Sequence, residues 1–461
     1  MSDECSRCRK LLSVVRLPNS KRVVVLAAFV VILLLSTLAA IELGALALLH
    51  LAPGRFPSRD AIQGSLAVRE SESDDPAQRS GSNILHPYLG FVRNPEPGRK
   101  THVNRFLVDD EVNQFGFFGK SPFEPKDDDL VRVALTGGSV AEELFLYGRD
   151  TLASELEATG AFGNRKIEIV SVAVAGFKQP QQLFALSYLL VLGARLDVVI
   201  NLDGFNEVVL PFTDNVPLKL APSYPFRWKS VAAKGIDPGA AILVGQIAES
   251  ERDLREWRNL FDRFPLRHSS FVLATWQLIR ARNEAFRSGL EVALRERLGA
   301  DKSPQSGGPA FDRDAHGDPE AALFAHSVAI WRRSSEALAS LCESRGIEYF
   351  HFLQPNQYVD WKPLTDWQRK TTFSPKRNST RYGAEAGYQL LIAEGAQLRS
   401  AGVRFVDLTG VFAAQTEPIY RDNCCHFFER GYKIVAQRIA TEVATAMLSD
   451  DATSIPAPRP H

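Results

Sequence analysis

The chain has 461 residues, 45% of them apolar, and its 54 Lys+Arg are balanced by 54 Asp+Glu. That length suits one large globular domain with appendages, and the zero formal charge removes the bulk electrostatic drive toward nucleic acid, so no nucleic-acid partner is expected. Five cysteines, two of them near the N-terminus, do not make a disulfide framework.

Residues 1–22 carry Arg7, Arg9, Lys10, Arg16, Lys21 and Arg22 against Asp3 and Glu4. The run Val23 to Ile41 is apolar apart from Ser36 and Thr37, and its hydrophobicity continues past Glu42 to about residue 50. A helix over 23–50 is long enough to cross roughly 30 Å of hydrocarbon. The basic flank places residues 1–22 in the cytoplasm. The apolar stretch exceeds a usual signal core and no small-x-small site follows it, which favours an uncleaved anchor over a cleaved signal peptide. The expectation is a single-pass inner-membrane protein whose partner at this end is the membrane and whose residues from 51 onward are periplasmic. Cys5 and Cys8 form a CxxC with no second pair, which reads as a chance pairing and not as a zinc site.

Residues 51–82 are rich in Ser, Asp, Arg, Pro and Gly and read as a linker. The main domain is expected over 83–450. His86 to Gly119 mixes aromatics with turn residues, which predicts short extended pieces packed on the domain edge. Short apolar runs then alternate with helical stretches. The runs are Val131 to Thr136, Ile167 to Val174, Asp197 to Leu202, Ile347 to Leu353 and Val403 to Leu408. The helices are predicted over Asp150 to Thr159, Gln179 to Leu192, His326 to Arg345, Ala384 to Ala401 and Glu429 to Leu448. Continuous apolar strands separated by helices imply an α/β fold, a three-layer α/β/α domain around a five-stranded parallel sheet. An insertion at about 211–324 has helical spacing over Ile247 to Arg297 and a loop-like stretch from Asp301 to Pro319. It reads as a helical cap, either a lid or extra packing. Residues 451–461 are expected to be a disordered tail.

The chemistry-bearing residues fall at the carboxyl ends of the predicted strands, where open α/β sheets place their sites. Ser139 follows the first strand through Gly137-Gly138 and is the candidate nucleophile. Gly176 follows the second, where a residue without a side chain can present its backbone N–H to an oxyanion, and Asn206 follows the third with an amide that can do the same. His426 precedes the last helix as candidate general base, and Asp422 can fix its tautomer. Asp203 and Glu207 flank Asn206, either as support or as solvated loop charges. His351 ends the fourth strand and reads as a structural histidine, with Gln354 beside it. Cys424 and Cys425 read as packing residues, or one of them as a disulfide partner of Cys342.

Ser139 in Gly137-Gly138-Ser139, Gly176, Asn206 in Gly204-Phe205-Asn206-Glu207, and Asp422 with His426 together resemble the four blocks of the SGNH hydrolases, also called the GDSL-like esterase and lipase superfamily. The resemblance runs from about Val131 to Thr445, interrupted by the insertion. It implies an SGNH/flavodoxin-like sheet and a serine esterase with Ser139, His426 and Asp422 as triad. The oxyanion would be held by the backbone N–H groups of Ser139 and Gly176 and the Asn206 amide, with no metal or organic cofactor. Two positions depart from the usual pattern. Gly138 stands where an aspartate often precedes the serine, and Asn423 stands where the carboxylate usually lies three residues before the histidine. The superfamily also holds lipases, thioesterases and O-acetyltransferases. A single anchor with an exported domain suits O-acetyl groups of an extracytoplasmic polysaccharide, or another small ester, as substrate. The competing expectations are O-acetyl transfer on the same scaffold, a non-catalytic scaffold or glycan-binding component of polysaccharide assembly, and a lipase whose rim would include Leu260, Phe261 and Phe264.

Overall fold

Strands without a polar face need cover on both sides, and that requirement organises the chain. The structure, a computed structural model, describes residues 19–51, 59, 62–63, 83–95, 101–103, 106–108, 111–228, 238–300, 318–359, 362–374 and 379–453. The Cys5/Cys8 pair, most of the 51–82 stretch, the 301–317 loop and residues 454–461 lie outside the described residues.

In chain order the elements begin with α1 (Asn19–Leu51), β1 (Asn83–His86), β2 (Gly90–Arg93), β3 (Thr101–Val103) and β4 (Phe106–Val108). Next come β5 (Leu130–Gly137), α2 (Ser139–Ala158), β6 (Lys166–Ala173), α3 (Gln181–Val191), β7 (Val198–Asp203) and α4 (Phe205–Leu210). The insertion supplies α5 (Pro238–Phe261) and α6 (Ser270–Ala300). The chain closes with α7 (Pro319–Glu343), β8 (Glu348–Leu353), α8 (Asp366–Thr371), α9 (Ser379–Ser400), β9 (Arg404–Asp407) and α10 (Glu429–Thr453).

The chain divides into two compact units, residues 1–69 with 249–289, and 70–248 with 290–461. In the first, Leu26–Leu49 of α1 has a mean hydropathy of 2.5 and is long and apolar enough to cross a membrane. Ala45, Leu49 and Ile62 share one apolar core with Leu254, Leu273, Ala274 and Trp276 of the insertion. The insertion is helical as expected, yet its middle is part of this unit. Of the residues at helical spacing that suggested a cap, Leu254, Leu273, Ala274 and Trp276 are the buried ones that pack with Ala45 and Leu49 of α1.

In the second unit β5 to β9 form one parallel sheet in the order β6-β5-β7-β8-β9. The strands match the apolar runs to within a few residues, and β5 and β7 are almost entirely buried. The β1–β2 and β3–β4 hairpins account for the extended pieces expected before the sheet. Helix starts differ more. The first main-domain helix begins at Ser139, 11 residues earlier than Asp150, because Val140, Ala141, Leu144, Leu152 and Leu156 form one buried stripe that continues through Gly148. Helix α7 begins at Pro319, not His326, since the Asp318 side chain caps it by accepting from the backbone N–H groups of Glu320 and Ala321. Helix α10 runs on to Thr453, so the tail is helical for three residues beyond its expected start.

The sheet order sends the chain from β5 to one side and then, through β7, to the other. Such a reversal opens a crevice at the carboxyl ends of the two strands, and Ser139 and Asn206 are the residues just past those ends. Gly204, between β7 and α4, has φ +126°, and a Cβ there would collide with Leu353 Cδ1. Gly204→Ala is expected to destabilise this unit by about 1–3 kcal/mol, read as a lowered thermal midpoint in calorimetry of the detergent-solubilised chain.

Candidate active site

Ser139 is the first residue of α2, preceded by Gly138. A Cβ on Gly138 would overlap Asn206 Nδ2 and come within 3.0 Å of the Phe177 carbonyl, so the close approach of these three segments needs glycine here. Asn206 Nδ2 donates to the Phe177 carbonyl at 2.8 Å, which ties α4 to the turn following Gly176. Gly176 lies in that turn after β6, with Phe226 where a side chain would point.

The structure brings Ser139, His426 and Asp422 together. His426 Nε2 lies 2.9 Å from Ser139 Oγ, and His426 Nδ1 lies 2.6 Å from Asp422 Oδ2. Both Ser139 and His426 are largely buried, at 8% and 7% exposure. The four-residue spacing of Asp422 and His426 works because the other carboxylate oxygen, Oδ1, folds the loop. It accepts from the backbone N–H groups of Cys424 (2.9 Å), Cys425 (3.2 Å) and His426 (3.3 Å). One oxygen shapes the turn and the other meets the ring, so Asn423 is passed over.

This loop is held from two directions that the sequence reading missed. The turn after β8 supplies Asn356 Nδ2 to the Cys424 carbonyl (3.0 Å), Gln357 Nε2 to the Asp422 carbonyl (3.0 Å) and Tyr358 Oη to the Asn423 carbonyl (2.7 Å). From α2, Glu143 accepts both contacts of Arg421 Nη2 (2.9 and 2.8 Å) and the Tyr432 hydroxyl (2.6 Å). Arg93 of β2 grips the neighbouring Glu142 with two hydrogen bonds (2.8 and 2.6 Å). The run Asn356-Gln357-Tyr358 just past a strand end was a readable signal, whereas the ion pairs join segments too distant in sequence to be paired by eye.

Asp203 and Glu207 are buried, which settles the two readings left open for them. Asp203 accepts from Trp331 Nε1 (2.7 Å) and Asn201 Nδ2 (2.8 Å) and pairs with His351 Nε2 (2.8 Å), while His351 Nδ1 lies 2.7 Å from Ser335 Oγ. His351 is therefore a fully buried structural residue. Burial works against ionisation of Asp203, but the His351 ring and these donors hold its carboxyl below the usual range. Glu207 accepts from the backbone N–H groups of Gly204 (2.8 Å) and Gln179 (3.0 Å) and from Gln182 Nε2 (3.1 Å), so it fixes the turn that carries Asn206. Burial, then the Asp203 charge, raise Glu207 to about 8. Lys178 donates to the carbonyls of Pro222 and Tyr224 and thereby holds the segment leading to Phe226.

Cys342, Cys424 and Cys425 are free thiols, so the suggested disulfide to Cys342 does not form. Cys425 Sγ is 3.9 Å from His426 Nε2, farther than the serine hydroxyl. Cys424, Cys425 and His426 place ligand atoms within 4.8 Å of one another and could hold a metal ion, which would occupy the ring nitrogen facing Ser139. In comparisons with known proteins, no family model and no curated protein matches this sequence.

Burial lowers the His426 pKa, but the hydrogen bond the ring donates to Asp422 and the charges of Glu143, Asp422 and Cys424 outweigh it and raise it to about 9. A folded-state value above the ordinary 6.5 means that the imidazolium stabilises the fold fully below pH 6.5, and that this contribution is lost as pH rises through about 9. Nitrogen-15 NMR of labelled histidine should find the His426 ring charged at neutral pH and titrating near 9. In Asp422→Asn, which keeps the burial and removes the carboxylate, the titration should fall toward or below 6.5.

Proposed function

We propose that the chain is a membrane-anchored serine esterase of SGNH type, acting through an acyl-enzyme. The observation that carries this reading is the unbroken chain of contacts from Asp422 Oδ2 through the His426 ring to Ser139 Oγ, at 2.6 and 2.9 Å. A hydroxyl is a weak nucleophile until a positioned base removes its proton, and a base oriented by a third group is the arrangement that does so. On this reading the helices form the outer layers of a three-layer α/β/α domain, and the basic N-terminal flank keeps that domain outside the cytoplasm.

The reaction begins with neutral His426. Ser139 Oγ attacks the ester carbonyl carbon while its proton passes to Nε2, and Asp422 stabilises the imidazolium. The oxyanion accepts hydrogen bonds from the backbone N–H groups of Ser139 and Gly176 and from the Asn206 amide hydrogen not engaged by Phe177. Collapse of the tetrahedral adduct expels the alcohol, which takes the proton from Nε2, and leaves an ester on Ser139. Water, deprotonated by the same nitrogen, then releases the acid and restores the hydroxyl. A neutral acyl group suits a chain with no net charge, and the exported location points to O-acetyl groups on an extracytoplasmic polysaccharide.

A fluorophosphonate should label the full-length, detergent-solubilised protein at Ser139 and leave Ser139→Ala unlabelled. Release of p-nitrophenol from a short-chain ester should fall by about 10⁴-fold or more in Ser139→Ala and by about 10³–10⁴-fold in Asp422→Asn. An unlabelled, inert wild-type chain defeats the esterase reading. The wild-type kcat/KM should climb with pH through neutrality toward a plateau above about 9, because the base works only after the raised His426 pKa is passed.

A further inference from the structure

The turn between α5 and α6 is fastened to α1 inside its apolar span. Glu42 accepts from Ser269 Oγ at 2.7 Å, from the backbone N–H of Phe271 at 3.2 Å and from that of Ser270. Arg59 Nη2 donates to the His268 carbonyl at 2.6 Å and Gln63 Nε2 to the Arg267 carbonyl at 3.0 Å. Glu42 lies seven residues before the end of Leu26–Leu49, which at 1.5 Å per residue is roughly 10 Å inside it.

The direction of the hairpin follows from its core. Ala45 and Leu49, farther along α1, share an apolar cluster with Leu254, Leu273, Ala274 and Trp276. Moving from Glu42 toward Leu49 thus corresponds to moving from the turn into the body of the hairpin.

That tip has the composition of a bilayer interface. Phe264 is 82% exposed, and Leu260, Leu266, Phe271 and Trp257 are exposed beside it. Trp257 packs on Phe261 at 5.4 Å between ring centroids. Arg263 and Arg267 flank the apolar residues. Aromatics with flanking arginines suit the boundary of acyl chains and phosphate headgroups, and so large an apolar display on a turn calls for an apolar cover.

We propose that the α5–α6 turn is a second membrane contact, inserting Phe264, Leu266 and Phe271 into the leaflet entered by the C-terminal end of α1. The proposal rests on the reading of α1 as a membrane anchor. The occupant is lipid because the turn is bonded to a residue of the helix that lipid would surround.

The test is photo-crosslinking of the full chain in phosphatidylcholine–phosphatidylglycerol nanodiscs, with p-benzoylphenylalanine placed singly at position 35, 264 or 286. Leu35 lies mid-span in α1, and Phe286, exposed on α6, lies 16 residues beyond its start. The expected result is phospholipid adducts by mass spectrometry at 35 and 264 and none at 286. Adducts at 35 without any at 264 overturn the proposal and leave the anchor standing. Adducts at 264 and 286 alike also overturn it, since the contact would then not be confined to the turn. A protein adduct at 264 assigns the surface to a second chain and overturns it. No adduct at 35 removes the anchor reading and the proposal with it, while the fluorophosphonate result for Ser139 is independent of both.

Discussion

One buried carboxylate, Glu143, decides where the two ends of the candidate site meet. It projects from the start of the helix that begins at Ser139 and is engaged by Arg421 and Tyr432, the residues on either side of the Asp422–His426 loop. Burial costs the Arg421 guanidinium, yet Glu143 holds its pKa above the ordinary value. A buried pair of this kind adds little net stability compared with apolar packing. Removing one partner, in contrast, strands the other charge at a cost of about 3–5 kcal/mol. The clamp therefore acts through register, since loop and helix are adequately paired in one relative position. In that position Nε2 sits 2.9 Å from Oγ.

The opposite wall is built on the same physical basis with a different chemistry. Asp203 is compensated by His351, Trp331 and Asn201, and Glu207 by backbone N–H groups. Two neighbouring buried carboxyls cannot both ionise cheaply. The site resolves this by giving the charge to Asp203, which has the better donors, and raising Glu207 to about 8. The Gly204 N–H on one Glu207 oxygen and the Gln179 N–H on the other hold the turn bearing Asn206 from both sides. The close approach at Gly138 lets the Asn206 amide stand directly against the turn that presents Ser139.

How much of this was legible follows from how local each signal is. The five strands were readable because a buried parallel strand is a short uninterrupted apolar run, Ser139 and Asn206 because turn residues mark the strand ends that carry them, and His426 because it stands just before the start of the last helix. Helix starts were less so: Ser139 to Gly148 mixes glutamates with glycine, and its buried stripe is evident only once the sheet it packs on is known. The reach of Asp422 could not be judged from spacing, because it depends on Oδ1 bending the loop. The Glu143–Arg421 pair spans 278 residues, and nothing in either local segment names the other. Nor could the insertion's partner be read. Leu254, Leu273 and Trp276 would look the same against any apolar face, and Ala45 and Leu49 are hidden in a stretch whose uniform hydrophobicity already had an explanation.

In the proposed esterase the same contacts set a tension. The hydrogen bond to Asp422 and the charges of Glu143, Asp422 and Cys424 favour the imidazolium, while the base that reading requires must be neutral. Burial is the opposing influence on this ring. A neutral ester seated over Ser139 would displace the remaining solvent from a residue already only 7% exposed, deepening the penalty on the charged form without adding a counter-charge. Substrate occupancy would then move His426 toward the neutral state at the moment the serine proton must be taken. Within the proposed esterase, the raised resting value is thus compatible with catalysis: the clamp holds the ring as a cation in the empty site, and an uncharged acyl group is the kind of ligand that releases the proton.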